Sequence, residues 1–278
     1  MDKIKPSIYC KDKIFKHGKN ISVPGVEVRS SKYFNWEFIV PQKTDDLVVY
    51  TDNDLCDYSD QHPNRIAWII ESPIIYKHNY SWIAENSDKF KIVLTHNKKL
   101  LDLGNNFKFY PLGGSWLWND EIRLWKKTRS INIICSHKNQ TIGHNLRHAI
   151  VEKFNSQISV YGNGYAAVDR KINALKNYRF SICIENCKED FYFSEKLMDC
   201  FLSGTIPIYW GCPSIDKFFD ISAMLLFEGI DEIPKILEMC NEDYYLKHFE
   251  GVLKNFEFAQ QYLMPENWVY EHYDYLKI

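Results

Sequence analysis

Phe180-Ser-Ile-Cys-Ile-Glu185-Asn186, a polar loop, then Tyr192-Phe-Ser194-Glu195-Lys196-Leu-Met-Asp-Cys-Phe-Leu202-Ser-Gly204 and Ile206-Pro-Ile-Tyr-Trp210-Gly211 form the stretch whose reading decides the fold. Phe180 to Ile184 and Ile206 to Trp210 are apolar runs of strand length. Between them Ser194 is a helix N-cap, Gly204 a helix stop, and the residues they enclose are spaced as in an amphipathic helix. Strand, helix and strand in so short a span describe a crossover between parallel strands.

Working outward, the same signals recur. Leu47 to Tyr50, Ile66 to Ile70, Ile92 to Leu94 and Ile131 to Cys135 read as further buried strands, and Lys98 to Leu103, Asn145 to Phe154 and Asp169 to Lys176 as helices among them. Ile230 to Cys240 and Asp243 to Leu263 read as helices too, the second stopped by Pro265. The charged, helix-poor stretch Trp118 to Arg129 separates two groups of these units. The expectation is an α/β protein of two Rossmann-like domains, residues 1–126 and 127–278, facing a cleft. Ligands of such sheets collect beyond the carboxyl ends of the strands, which makes the residues after each strand the ones to inspect.

Composition narrows the chemistry. With 34 basic and 36 acidic residues among 278, the chain has no global field to draw it onto nucleic acid or anionic lipid, so any anion site must be local. The 45% hydrophobic content excludes intrinsic disorder. Eight scattered cysteines without a CxxC pair indicate neither a zinc ribbon nor a disulfide scaffold, and the simplest reading is a reducing compartment. The polar N-terminus and the lack of eighteen consecutive apolar residues predict a soluble, cytoplasmic chain without signal peptide or transmembrane segment; attachment to the periphery of a membrane carrying the acceptor is the alternative. The sequons at Asn20, Asn79 and Asn139 are then read as chance.

Three segments after strands carry candidate chemistry. Glu185 and Asn186 end one strand, and Ser194, Glu195 and Lys196 open the following helix, where unpaired backbone donors and the helix dipole favour an anion. Glu195 there is placed to accept hydrogen bonds from vicinal hydroxyls such as those of a ribose; the plainer alternative is a capped surface helix with an ordinary charge pair. Ser136-His-Lys138 follows the strand Ile131 to Cys135, and Arg147 lies in the next helix, where a guanidinium can grip a diphosphate in bidentate fashion or simply face solvent. In Trp68-Ile-Ile-Glu71-Ser72-Pro73 a strand delivers a carboxylate to its end, as a general base or as a turn cap.

Together these segments resemble glycosyltransferase family 10, the α-1,3-fucosyltransferases. Tyr178 through Asn186, Tyr192 through Lys196 and Ile206 through Ser214 are similar to that family's donor-binding signature in residue type, order and spacing. Ile69-Ile70-Glu71-Ser72-Pro73 resembles its acidic element, and Ser136 through Arg147 its arginine-bearing segment. The resemblance implies a two-domain GT-B fold and transfer of L-fucose, with inversion, from GDP-β-L-fucose to a hydroxyl of a glycan acceptor. It further implies that Arg147 and Lys196 hold the diphosphate, that Glu195 and Tyr192 contact the nucleoside or sugar, that Asn186 and Ser194 belong to the donor site, and that Glu71 is the base. No metal or other cofactor is expected. Nothing in residues 1–65 is identified with the family, so the acceptor is not read. Two other readings stand beside this one: a transferase of the same fold using another nucleotide sugar, and a non-catalytic glycan-binding module.

Competing signals are weaker. Asp52-Asn53-Asp54 has the DxD form that can hold a divalent metal on a nucleotide diphosphate, but the cations at Arg147 and Lys196 make a metal redundant. His144 and His148 are four apart, yet position 145 is Asn rather than the Glu of a zinc motif, and a solvated helix face is expected. Trp116 and Trp118 are assigned to core packing, with an acceptor groove as the alternative. Gly162-Asn-Gly164 lacks the third glycine of a dinucleotide fingerprint, which leaves a dehydrogenase unsupported.

Overall fold

The computed structural model describes residues 5–12, 29–42, 45–57, 62–104 and 106–277. The sequon at Asn20 lies outside them. Two compact units emerge, each built on an all-parallel sheet.

The first unit carries β1 (Ser7–Lys11), β2 (Asn35–Glu37), β3 (Val48–Thr51), β4 (Arg65–Trp68), β5 (Val93–Thr95) and β6 (Phe107–Phe109), in the order β2-β1-β3-β4-β5-β6, with helices α1 (Lys77–Asn86) and α2 (Lys98–Leu101). Its central strands are buried on both faces, as the continuous apolar runs require. Tyr50 pairs with Ala67 and Ala67 with Val93, and these side chains share one core with Ile69, Ile83 and Leu100.

The second unit carries β7 (Arg129–Ile134), α3 (Ile142–Phe154), β8 (Ser159–Tyr161), α4 (Ile172–Leu175), β9 (Tyr178–Ile184), α5 (Glu195–Leu202), β10 (Ile206–Trp210), β11 (Leu225–Leu226), α6 (Ile233–Met239), α7 (Glu242–Lys247) and α8 (Phe249–Gln260). The strand order is β11-β10-β9-β7-β8, with β9 central. Strand periodicity sorts its side chains: Phe180, Ile182 and Ile184 join the core on one face of the sheet, and Cys183 joins the core on the other with Leu197, Met198 and Phe201 of α5. The expected single helix Asp243 to Leu263 is interrupted at His248, which lies between α7 and α8.

The units divide differently from the expected break after residue 126. Ser115–Leu263 form the second unit, and Met264–Ile278, including α9 (Pro265–His272), return to the first. Hydrogen bonding accounts for both shifts. The stretch before β7 is tied to the second unit by Arg123 N to Leu202 O at 3.1 Å and by the buried Lys127 ammonium, which donates to Ser203 O at 2.7 Å and Thr205 Oγ1 at 2.8 Å. Asn267 Oδ1 accepts from Ser31 Oγ and Lys32 N, both at 2.9 Å, and Tyr273 donates to Phe109 O at 2.7 Å, so α9 belongs with β6. No helix among the described residues is long and apolar enough to cross a membrane.

Candidate active site

The carboxyl end of β9 organises the second unit. Ile184 O accepts from Arg147 Nε at 3.1 Å and Nη2 at 2.7 Å, and Nη2 also reaches Asn186 Oδ1 at 3.1 Å. The next side chain, Glu185, is fully buried and accepts from Ser194 N at 2.9 Å and Ser194 Oγ at 2.6 Å, which fixes the start of α5 against the strand. Two glycines make room for this junction. A Cβ on Gly143 would lie 1.7 Å from Glu185 O, and one on Gly211 would lie 2.7 Å from Glu185 Cγ, so α3 and the turn after β10 approach β9 as only glycine allows.

Between the sheet, α4 and α5 lies a cavity of about 320 Å³. Its wall carries four cations, Lys138, Arg147, Lys171 and Lys196, together with Ser136, Glu195 and Trp116, over an apolar floor of Ile134, Leu175, Ile182 and Ile184. Polar groups converging on a mostly apolar floor are the usual form of a small-molecule site. Lys196 Nζ lies 3.0 Å from Ser194 Oγ, 3.2 Å from Glu195 Oε1 and 3.6 Å from Glu185 Oε2. Burial pushes the Glu195 carboxyl up, but Lys196 and Lys171 outweigh it and hold the group down at about 2. His144, at the start of α3, is pushed down to about 4 by burial and by Arg147, Lys138 and Lys196. The cluster is a positive pocket with one ionised carboxylate in its wall, suited to an anion that also carries hydroxyl groups.

Of the residues expected from sequence, Arg147, Glu195 and Lys196 line the cavity, while Asn186 braces Arg147 and Ser194 caps α5. Tyr192 does not line it: the ring is 2% exposed, drawn inward by a loop in which Phe191 N bonds Ser214 Oγ and Phe193 packs on Phe218 and Phe219. Three further expectations are corrected. Trp116 is 39% exposed in the cavity wall, and Trp118 is also exposed, stacked on the Arg170 guanidinium at 4.4 Å. His144 is buried because α3 turns that face toward β9, where Gly143 N bonds Asn186 O. Lys171 escaped notice in the sequence; its one signal is the basic pair Arg170-Lys171 immediately ahead of the short helix α4.

In the first unit, Glu71 follows β4 and is half-buried. The backbone that carries it is held by side chains on every side. Ile69 O accepts from Tyr110 Oη at 2.6 Å, Ile70 N donates to Asp52 Oδ1 at 2.9 Å, and Glu71 N donates to Asp52 Oδ2 at 2.8 Å. Glu71 O accepts from Tyr80 Oη at 2.7 Å, and His96 Nε2 lies 3.1 Å from Ile70 O. Asp52 therefore has both oxygens engaged by this backbone and is 1% exposed, which counts, as the sequence does, against the DxD alternative of a metal held there. Burial pushes the Asp52 carboxyl up to about 8 against the two amide hydrogen bonds. Asn79, the acceptor of one sequon, is buried and donates to Asp52 O. Among the described residues no cluster of His, Cys, Asp or Glu is arranged to hold a metal ion.

Comparison with known proteins places this geometry in a family. A 96-residue stretch is 38% identical to an α-(1,3)-fucosyltransferase FucT of Helicobacter pylori, covering 31% of this chain and 20% of that protein. A 90-residue stretch is 35% identical to a putative fucosyltransferase-like protein of Arabidopsis thaliana, covering 30% of this chain and 18% of the relative. The matches thus span about a fifth of these relatives' length. In fold, the crystal structure of an α1,3-fucosyltransferase with GDP superposes with a TM-score of 0.55 at 16% identity, covering 95% of this chain and 92% of that one, and the architecture is of the GT-B type. Residues 124–270, just over half of the chain and including every residue of the cationic cavity except Trp116, match the sequence model of glycosyltransferase family 10 (fucosyltransferase), C-terminal part. The chain belongs to glycosyltransferase family 10.

Proposed function

We propose that the protein transfers L-fucose from GDP-β-L-fucose, with inversion, to a hydroxyl of a glycan acceptor. The observation that carries this reading is the cavity beside β9, which Arg147 from within α3 and Lys196 from the start of α5 both line, in a chain of this family. In the proposed reaction the acceptor oxygen forms its bond to the anomeric carbon as the bond from that carbon to the GDP oxygen breaks. Glu71 takes the acceptor's proton, and Arg147 and Lys196 neutralise the charge that gathers on the departing diphosphate. Asn186 keeps the guanidinium oriented, and Glu195 accepts hydrogen bonds from the donor's ribose hydroxyls. These cations supply the neutralisation that a divalent ion gives other transferases, so no metal is required.

Hydrolysis of a panel of nucleotide sugars in EDTA, without acceptor, tests the donor assignment. GDP-fucose should be consumed well ahead of GDP-mannose and the UDP-hexoses. A preference for any of the others would establish a transferase of the same fold with a different donor, and hydrolysis of none, with no GDP binding, would leave a glycan-binding module.

A further inference from the structure

Trp116 lines the cavity from outside residues 124–270, the part of the chain that matches the family, and no part of the mechanism above uses it. It is 39% exposed between two anchored neighbours. Ser115 is fully buried; its hydroxyl donates to Asp199 Oδ1 at 2.5 Å and accepts from Leu117 N at 3.0 Å, and Leu117 is buried in one core with Leu197 and Phe201. Trp116 N donates to the same Asp199 oxygen at 3.1 Å, while Asp199 Oδ2 lies 2.7 Å from Lys171 Nζ. The backbone on both sides of the indole is therefore pinned to α5 and, through the buried Asp199, to the start of α4. Trp118 stacks on Arg170 at 4.4 Å; among the described residues the Trp116 ring has no such ring or cation partner and faces the cavity instead.

The place of this ring along the cavity determines what it meets. Arg147, Lys196 and Ile184 mark the carboxyl end of β9, with Glu195 beside them. Ser181 lies three residues back along β9, and Cys200 one turn further along α5, the crossover helix that runs back from that end toward the start of β10. The cavity thus extends from the cations toward Cys200 and Leu175, and Asp199, one turn beyond Glu195, brings the Trp116 segment to that second end. A nucleoside diphosphate is ordered diphosphate, ribose, base. With the first on Arg147 and Lys196 and the second on Glu195, the base falls at the end that Trp116 walls.

From this arrangement we infer that Trp116 is a binding residue for the nucleobase of the donor: its indole stacks on the guanine and supplies an affinity for the base that cations gripping phosphate do not give. The inference rests on the donor site proposed above. The anchoring by Ser115 and Asp199 suits this role, because a ring whose backbone is already fixed loses little freedom when a planar ligand packs on it.

The test compares, by calorimetry, GDP with ribose 5-diphosphate, the same ligand without its base, in the wild type, Trp116→Ala and Trp116→Phe, each checked for folding by circular dichroism. Stacking of a base on an aromatic ring predicts that Trp116→Ala weakens GDP about tenfold or more while ribose 5-diphosphate binding changes by less than about threefold. Trp116→Phe keeps a ring and should keep most of the GDP affinity, but it should lose most of the quenching of tryptophan fluorescence that GDP causes in the wild type. Trp116→Ala that binds GDP like the wild type, or that loses both ligands by the same factor, overturns the inference while leaving the donor site intact. So does quenching in Trp116→Phe as strong as in the wild type, a reading that holds even if the alanine variant fails to fold. If the wild type binds neither ligand, the donor site itself fails and the inference with it.

Discussion

Asp52 Oδ2 accepts the backbone N–H of Glu71 at 2.8 Å while Oδ1 accepts that of Ile70 at 2.9 Å, so one buried carboxylate grips two successive peptides at the carboxyl end of β4. Asp52→Asn offers one acceptor oxygen and turns an amide donor toward the other N–H. A lost hydrogen bond and an unsatisfied buried donor should together cost about 2 kcal/mol, measurable by denaturant unfolding. The carboxyl titrates at about 8 in the folded chain and near 3.8 when unfolded. The folded state therefore holds the proton more tightly, and the stability this group contributes is present below the lower value and lost as pH rises through the higher one. The wild type's margin over Asp52→Asn should accordingly shrink between about pH 4 and about pH 8. A margin that widens over that window would contradict the burial-dominated environment described for Asp52.

Glu71→Gln retains the shape of the side chain and removes its basicity. Turnover should fall roughly 100-fold or more with GDP affinity nearly unchanged, since the donor cavity is built from second-unit residues. Transfer at a near wild-type rate would remove Glu71 from the role of base.

Gly143→Ala should disturb the donor site through the backbone. The new methyl group would meet Glu185 O, a main-chain atom that cannot rotate away, so α3 must shift off β9. Overpacking of this kind costs on the order of 2 kcal/mol or more. Arg147, one turn along α3, would move with the helix, so GDP affinity should fall along with stability. Unchanged melting and unchanged GDP binding would show that the junction has slack.

His144 gives a spectroscopic reading of the cavity's charge. Its Nδ1 is buried and lacks a hydrogen-bond partner among the described residues, and its titration is held at about 4 by burial and by Arg147, Lys138 and Lys196. A diphosphate bound to those cations offsets their repulsion, so the His144 pKa should rise on GDP binding. Binding then takes up a proton, and GDP affinity should increase as pH falls through the raised value toward the free one. NMR titration of the imidazole with and without GDP checks this; an unchanged or lowered pKa would place the diphosphate elsewhere.

The strands that decide the fold are legible because burial on both faces leaves a nearly continuous apolar run, as in Phe180 to Ile184, broken only by Ser181, and Ile206 to Trp210. Edge elements lack that signature: Ser159–Tyr161 is three half-buried residues and Leu225–Leu226 only two, and neither stands out from loop. The return of α9 to the first unit is fixed by contacts of Asn267 with Ser31 and Lys32, more than two hundred residues away, which no local pattern encodes. Within the site, Glu195 and Lys196 are readable because they open a helix after a strand, and Arg147 because it lies in the helix that follows β7. Lys171 is not, since its meaning depends on Asp199 being brought beside it by the packing of α4 on α5. Trp116 was misjudged for a related reason: Asp199 holds its backbone while the indole stays in the cavity wall.

Calorimetric titration of GDP in EDTA decides whether chain cations rather than a metal hold a guanosine diphosphate beside β9. The wild type should bind, and Arg147→Ala and Lys196→Ala should each weaken binding on the order of 100-fold, as loss of a charge-assisted contact to phosphate implies. GDP affinity that vanishes in EDTA and returns with manganese, or that is the same in wild type and both variants, would show that the cations do not.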